Sequence, residues 1–176
     1  MKRQVTAALL AAGTALAVSA AAAMPAAAAT SGPETFSITI VTSGVSGTRT
    51  VISSVIIAKG VFTGVGRIVE LPSQPGDPAN VDRDDLVFPE GTMHLRTTHG
   101  SASFTLNPHN CLFSGTQEQT SEVAGGTGQF AAATGSFTNT VSGQGLAPRN
   151  PDGSCAITEP GLHEVDMITL SGTLSF

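Results

Sequence analysis

From residue 36 onward, apolar residues recur at every second position, the period of a strand with one covered face, and not at the spacing of about 3.6 that marks a helix. Phe36, Ile38 and Ile40 alternate with Ser37 and Thr39. Val51, Val55 and Ile57 share a face with Ser53, while Ile52 and Ile56 load the other, which predicts a strand covered on both sides. In 61–71, Val61, Val65, Val69 and Leu71 fall on one face together with Arg67; the opposite face holds Gly64, Gly66 and Glu70, and its glycines point to a bend or bulge. Segment 72–85 is rich in Pro, Asp and Asn and lacks alternation, so it reads as a surface loop. Leu86 and Phe88 then lead into Gly91, Met93 and Leu95, followed by Ala102, Phe104 and Leu106. A polar strand is expected over 111–123, the most solvated wall of the sheet. Phe137 and Val141 share a face with Asn139, a second long loop covers 145–161, and Ile168, Leu170, Leu174 and Phe176 line one side of the last strand. The sum is an all-β chain of eight or so strands, which suits a sandwich or a closed barrel.

The first 29 residues stand outside that pattern. Lys2 and Arg3 precede an uncharged run from 5 to 23, and Ala27, Ala28 and Ala29 follow, the order of a secretory signal peptide cleaved after Ala29. A retained membrane anchor is the alternative, but the run is mostly alanine, is diluted by Gly13, Thr14, Ser19 and Pro25, and is not followed by a basic cluster. The mature domain is therefore expected over 30–176, secreted to the outside or to a periplasm if the host has an outer membrane.

Removing the signal changes the charge. It carries two of the eight basic residues, leaving six against 13 acidic, a net −7. That balance excludes nucleic acid as a natural partner, and no second apolar run is long enough for membrane insertion after cleavage. Two cysteines remain, Cys111 and Cys155, and an oxidising compartment makes a disulfide between them the expectation. Closing a loop of that length stabilises by up to about 4 kcal/mol in the chain-entropy treatment.

The sharpest short motif is Gly125-Gly126-Thr127-Gly128-Gln129-Phe130, continued by Ala133 and Gly135. No Gly-Lys-Ser/Thr ending and no helix pattern follow, so a phosphate cradle is not expected. A turn is: Gly125 and Gly126 supply positive φ, Phe130 plugs the sheet or barrel, and Ala133 and Gly135 let strands cross closely. With the stretches Gly60-Val61-Phe62-Thr63-Gly64 and Phe88-Pro89-Glu90-Gly91-Thr92-Met93-His94-Leu95, this motif resembles small secreted bacterial members of the allene oxide cyclase-like and dirigent-like barrels. The resemblance implies a single antiparallel eight-stranded barrel with a mostly apolar cavity, a small lipophilic ligand and assembly into homo-oligomers. It also implies cyclisation or coupling chemistry directed by holding the substrate in shape, although no catalytic residue of that group aligns with a position here.

Other candidate chemistry is sparse. The acidic stretch 77–85 lacks the spacing and closing Glu of a calcium loop and contains Arg83, so a solvated loop is expected and no metal site. His94, His99, His109 and His163 show no ligand spacing and read as surface residues. There is no Gly-x-Ser-x-Gly elbow, and no cofactor is expected. Arg67 and Asn139 are the two polar residues that alternation places among apolar neighbours. Either one facing a cavity would fix the polar end of a ligand, and one slipped residue of register would turn it outward. The expectation for function is binding of a small apolar molecule; the alternatives are a cyclase, isomerase or coupling-directing enzyme and a structural or surface-interaction protein with a filled barrel.

Overall fold

The computed structural model describes residues 30–45 and 47–176; the expected signal peptide, 1–29, lies outside the described residues. Eight strands follow in chain order: β1 (Ser31–Ser43), β2 (Thr50–Gly60), β3 (Gly64–Leu71), β4 (Val81–Phe88), β5 (Gly91–Leu106), β6 (Leu112–Gly126), β7 (Thr134–Leu146) and β8 (His163–Ser175). Each pairs antiparallel with the next, and β8 returns to β1, with Phe36 opposite Leu170 and Ile38 opposite Ile168. The sheet is thus a closed barrel, the fold class that the period-two pattern and the resemblance led one to expect. Closure leaves no strand edge free to recruit another chain.

One end is plugged. The connections there are short, 61–63 and 89–90, plus a turn containing a single 3-10 stretch, Gly128–Phe130. Phe62, buried in this plug, packs its ring edge-on against Phe88 at 4.9 Å and Phe130 at 5.0 Å, and Phe130 meets Phe176 at 5.4 Å. Phe36 and Phe137 continue the aromatic packing inward, 5.4 Å apart. Above them Ile38, Ile56, Leu86, Met93, Leu95 and Leu170 fill the interior. The carboxyl of Glu34 is also buried here and accepts the Phe62 N–H at 2.8 Å, fixing the turn after β2. Burial holds its pKa above the usual carboxylate range, against the opposing hydrogen bonds from Phe62, Thr35 and Lys59.

The glycine motif serves this end, with one amendment. Positive φ is carried by Gly125 (81°) and Gly128 (59°). Gly126 is required for another reason, since a Cβ there would lie 1.9 Å from the Thr92 carbonyl oxygen.

Three expectations about strands are corrected. Segment 72–85 is not all loop, because β4 begins at Val81; Asp82 and Asp84 hold the same inward parity as Leu86 and Phe88, and their carboxyls disguised the strand as a loop. The faces of β3 are reversed. Its apolar face, with Val65 at 62% exposure, is the outer one, and Gly64, Gly66, Ile68 and Glu70 face inward. The glycines are inside because aromatic rings from neighbouring segments occupy their space: a Cβ on Gly66 would meet the Phe88 ring at 2.6 Å, and one on Gly64 the Phe62 ring at 2.5 Å. Finally, β2 is covered on its inner face only; Val55 and Ile57 are exposed.

Candidate functional site

The opposite end of the barrel is open and wet. Strands β5 and β6 run 16 and 15 residues where β3 and β4 run 8 each, so one wall stands taller than the other. The connections after β1 (44–45 and 47–49 of the described residues), 72–80, 107–111 and 147–162 all lie at this end. Cys111 and Cys155 form a disulfide with their Cα atoms 5.5 Å apart, tying two of these connections into a rim. The end of the 147–162 loop is fastened to the neighbouring β1, continuing the β1–β8 ladder, by Gly44 N–H donating to Gly161 O at 2.8 Å and by Ser43 Oγ donating to Leu162 O at 3.0 Å.

Within the rim lies a cup of about 440 Å3 whose floor is the apolar packing described above. Ile40, Ile68, Val141 and Ile168 form the apolar part of its wall. The rest is polar: the carboxyls of Glu70 from β3, Asp82 and Asp84 from β4, and Glu164 and Asp166 from β8 line it, with Arg83, Thr97, His99, Gln117 and Gln119 beside them. Strand parity puts them there, since Asp84 precedes Leu86 by two residues and Asp166 precedes Ile168 by two. Glu70 and Asp84 are direct cross-strand partners. Arg49, just before β2, reaches into the group; its Nη1 donates to both carboxylate oxygens of Glu70 at 2.5 and 2.6 Å, its Nη2 lies 3.6 Å from Asp166 and its Nε 4.0 Å from Glu164. Burial disfavours the Arg49 charge, but Glu70, Asp166 and Glu164 together outweigh it and raise the guanidinium pKa.

The acids are unequally compensated. Burial first, then the neighbouring carboxylates of Glu70 and Asp82, push Asp84 up to about 7; Arg49 opposes them only partly. Burial and Glu164 push Asp166 up to about 6, against Arg49. Two carboxyls that exchange protons near neutrality in one cavity are the kind of groups that functional sites collect. Outside the cup, Asp77 is held down to about 2 by its side-chain bond with Arg83, whose Nε and Nη2 approach at 2.7 and 2.8 Å. The acidic stretch therefore divides into an ion pair at the rim, whose Arg83 also lines the cup, and an inner, less compensated carboxyl.

A polar belt separates cup from core. Asn139 Nδ2 donates to Ser121 Oγ at 2.5 Å, and the Ser121 and Thr97 hydroxyls share a hydrogen bond of 2.7 Å. Asn139 is 2% exposed and faces the barrel axis between Phe137 of the core and Val141 of the cup wall. Among the described residues its Oδ1 has no partner, nor has Oγ1 of buried Thr42, two residues beyond Ile40 on β1. Along the taller wall the inner face continues past Asp166 and Glu164 to a stacked aromatic pair, Phe104 and Phe113, with centroids 5.8 Å apart and planes at 27°. Phe104 is 58% exposed.

Of the two residues singled out by alternation, Asn139 is inside, at the boundary of the cup. Arg67 is outside, exposed among Val55, Ile57 and Val65, because the apolar face of β3 is its outer face. His99, expected at the surface, lines the cup and lies 2.9 Å from Asp82, while His94 pairs externally with Asp85 at 2.7 Å. Among the described residues no group of three or more His, Cys, Asp or Glu is placed to hold a metal ion. Compared with known proteins, the chain matches no protein-family model, no curated protein and no solved structure.

Proposed function

We propose that this is an exported barrel that holds a small molecule in its mouth. The observation that carries the reading is the cup itself: a concavity of about 440 Å3 with a packed floor and an apolar strip, more polar than an ordinary ligand pocket, in which Asp84 and Asp166 are pushed up to about 7 and about 6. The lining refines the expected ligand. A wholly apolar molecule would have to strip water from Glu70, Asp84, Glu164 and Asp166 without replacing it, which is costly for charged groups. An amphipathic molecule, its apolar part against Ile40, Ile68, Val141 and Ile168, avoids that cost. The likeness to allene oxide cyclase-like and dirigent-like barrels belongs to the same proposal.

A second reading, an isomerase or cyclase, is favoured by Asp84, whose carboxyl at about 7 is present in both protonation states near neutral pH and so suits acid and base roles. The test that comes first is native mass spectrometry of protein purified from the medium of its own host. The reading expects a co-purifying small molecule that leaves on unfolding. Bare protein from several growth conditions counts against it.

A further inference from the structure

We propose that the cup selects an organic cation: a small molecule whose protonated amine sits among Glu70, Asp84, Glu164 and Asp166 and whose apolar body lies along the wall toward Phe104 and Phe113. This deepens the binding-cup reading and rests on it.

Three independent features converge. The first is charge. Five carboxyls line the cup, Glu70, Asp82, Asp84, Glu164 and Asp166, against two guanidiniums, and both of these are engaged, Arg49 with Glu70 and Arg83 with Asp77. Among the described residues no hydrogen bond reaches the Asp84 carboxyl, and the crowding that raises its pKa is what a second cation in the cup would relieve. The second is the pair of unpartnered oxygens. Asn139 Oδ1 and Thr42 Oγ1 are buried on the inner faces of β7 and β1 beside the residues that line the cup, and each can accept a hydrogen bond. A ligand rich in donors satisfies both atoms, whereas a carboxylate or phosphate can accept from the Thr42 hydroxyl but leaves the acceptor-only Asn139 Oδ1 unmet. The third is shape. The cup opens along the taller wall onto the face of a stacked phenyl pair, a surface that binds flat apolar groups and attracts cations through the ring face. With no three-ligand metal grouping among the described residues, the positive charge belongs on an organic molecule.

The test uses matched probes on the full mature chain at about 0.15 M salt, where weak surface attraction is screened. 2-Phenylethylammonium, 2-phenylethanol and 3-phenylpropanoate form one set, and the corresponding naphthyl compounds a second. Each is titrated into 15N-labelled protein while the backbone amides of Asp84, Val141 and Asp166 are followed. The ammonium members are expected to shift these amides and to bind at least about tenfold more tightly than the alcohols, with no response to the acids; tenfold corresponds to about 1.4 kcal/mol. In Asp84→Asn/Asp166→Asn the preference disappears while the alcohols bind as before. Equal binding of ammonium and alcohol at the cup overturns cation selection and leaves the cup standing. Ammonium shifts confined to outer acids such as Asp152 and Glu159 also overturn it. No response at the cup amides to any of the six probes overturns both the selection and the cup.

Discussion

Replacing Asp84 with asparagine keeps the shape of the side chain and removes its proton, so it isolates the electrostatic state of the cup. In the folded protein this carboxyl titrates at about 7, against a value of 3.8 without its surroundings, chiefly because it is buried and next because Glu70 and Asp82 stand nearby. Between those two pH values the folded state holds a proton that the unfolded state has released. Stability is therefore highest below pH 3.8 as far as this group is concerned, and is lost as pH rises through 7. Integrated from about pH 5.5 to about pH 8, the loss from Asp84 is about 2 kcal/mol. Asp166, raised to about 6, adds about 1 kcal/mol in the same direction. Asp77 lies outside the window, since its depressed value of about 2 contributes stability that disappears only in strong acid.

At about 2–4 °C per kcal/mol for a domain of this size, the wild-type melting temperature should fall by about 6–12 °C from pH 5.5 to pH 8. In Asp84→Asn the fall should shrink to about 2–4 °C, and at pH 8 the variant should be the more stable protein. Differential scanning calorimetry across that range, with the disulfide intact, measures both slopes. A wild-type melting temperature that rises with pH, or a variant slope equal to the wild type, refutes the assignment of Asp84 to a crowded, poorly compensated interior.

Three further outcomes follow from the same geometry. Phe130→Ala removes a fully buried ring from the plug and should cost about 3–5 kcal/mol, read from chemical denaturation. Gly126→Ala sets a methyl against the Thr92 carbonyl and should destabilise by more than about 1 kcal/mol, whereas a neutral result would mean that the strand approach at the turn is looser than described. Arg49→Met leaves Glu70, Glu164 and Asp166 without their shared counter-charge. Discounted for its partial exposure, the loss should be about 1 kcal/mol at pH 8 and smaller at pH 5, where part of the acid group is protonated.

The barrel was legible in the chain because period-two alternation is a local property, visible strand by strand. The same alternation left the facing of Asn139 open to a one-residue slip, and the structure puts it inside, at the parity of Phe137 and Val141. The acids of the cup obey that rule too. Counting back by twos from Phe88 and Leu86 reaches Asp84, and from Leu170 and Ile168 it reaches Asp166 and Glu164. Alternation alone does not reveal them, because charge is ordinarily a mark of the outer face, and only a solvated mouth makes inward carboxyls tolerable. Arg67 failed for the opposite reason. Which face of β3 is interior depends on the Phe62 and Phe88 rings that fill the space over Gly64 and Gly66, and the Phe88 ring comes from the neighbouring strand β4. Arg49 carries no pattern at all; it meets Glu70 on β3 and Asp166 on β8 only because the sheet closes.

The most direct test of the cup compares native mass spectra of the wild-type protein and of Val141→Trp, both purified from the host medium. Val141 lines the cup, and an indole at that position fills much of it without touching the plug below. The account predicts a small-molecule adduct on the wild type and none on the folded variant, with Arg67→Ala keeping the adduct because that side chain is outside. An adduct that survives in Val141→Trp and is lost in Arg67→Ala would contradict it and move the site to the outer face of β2 and β3.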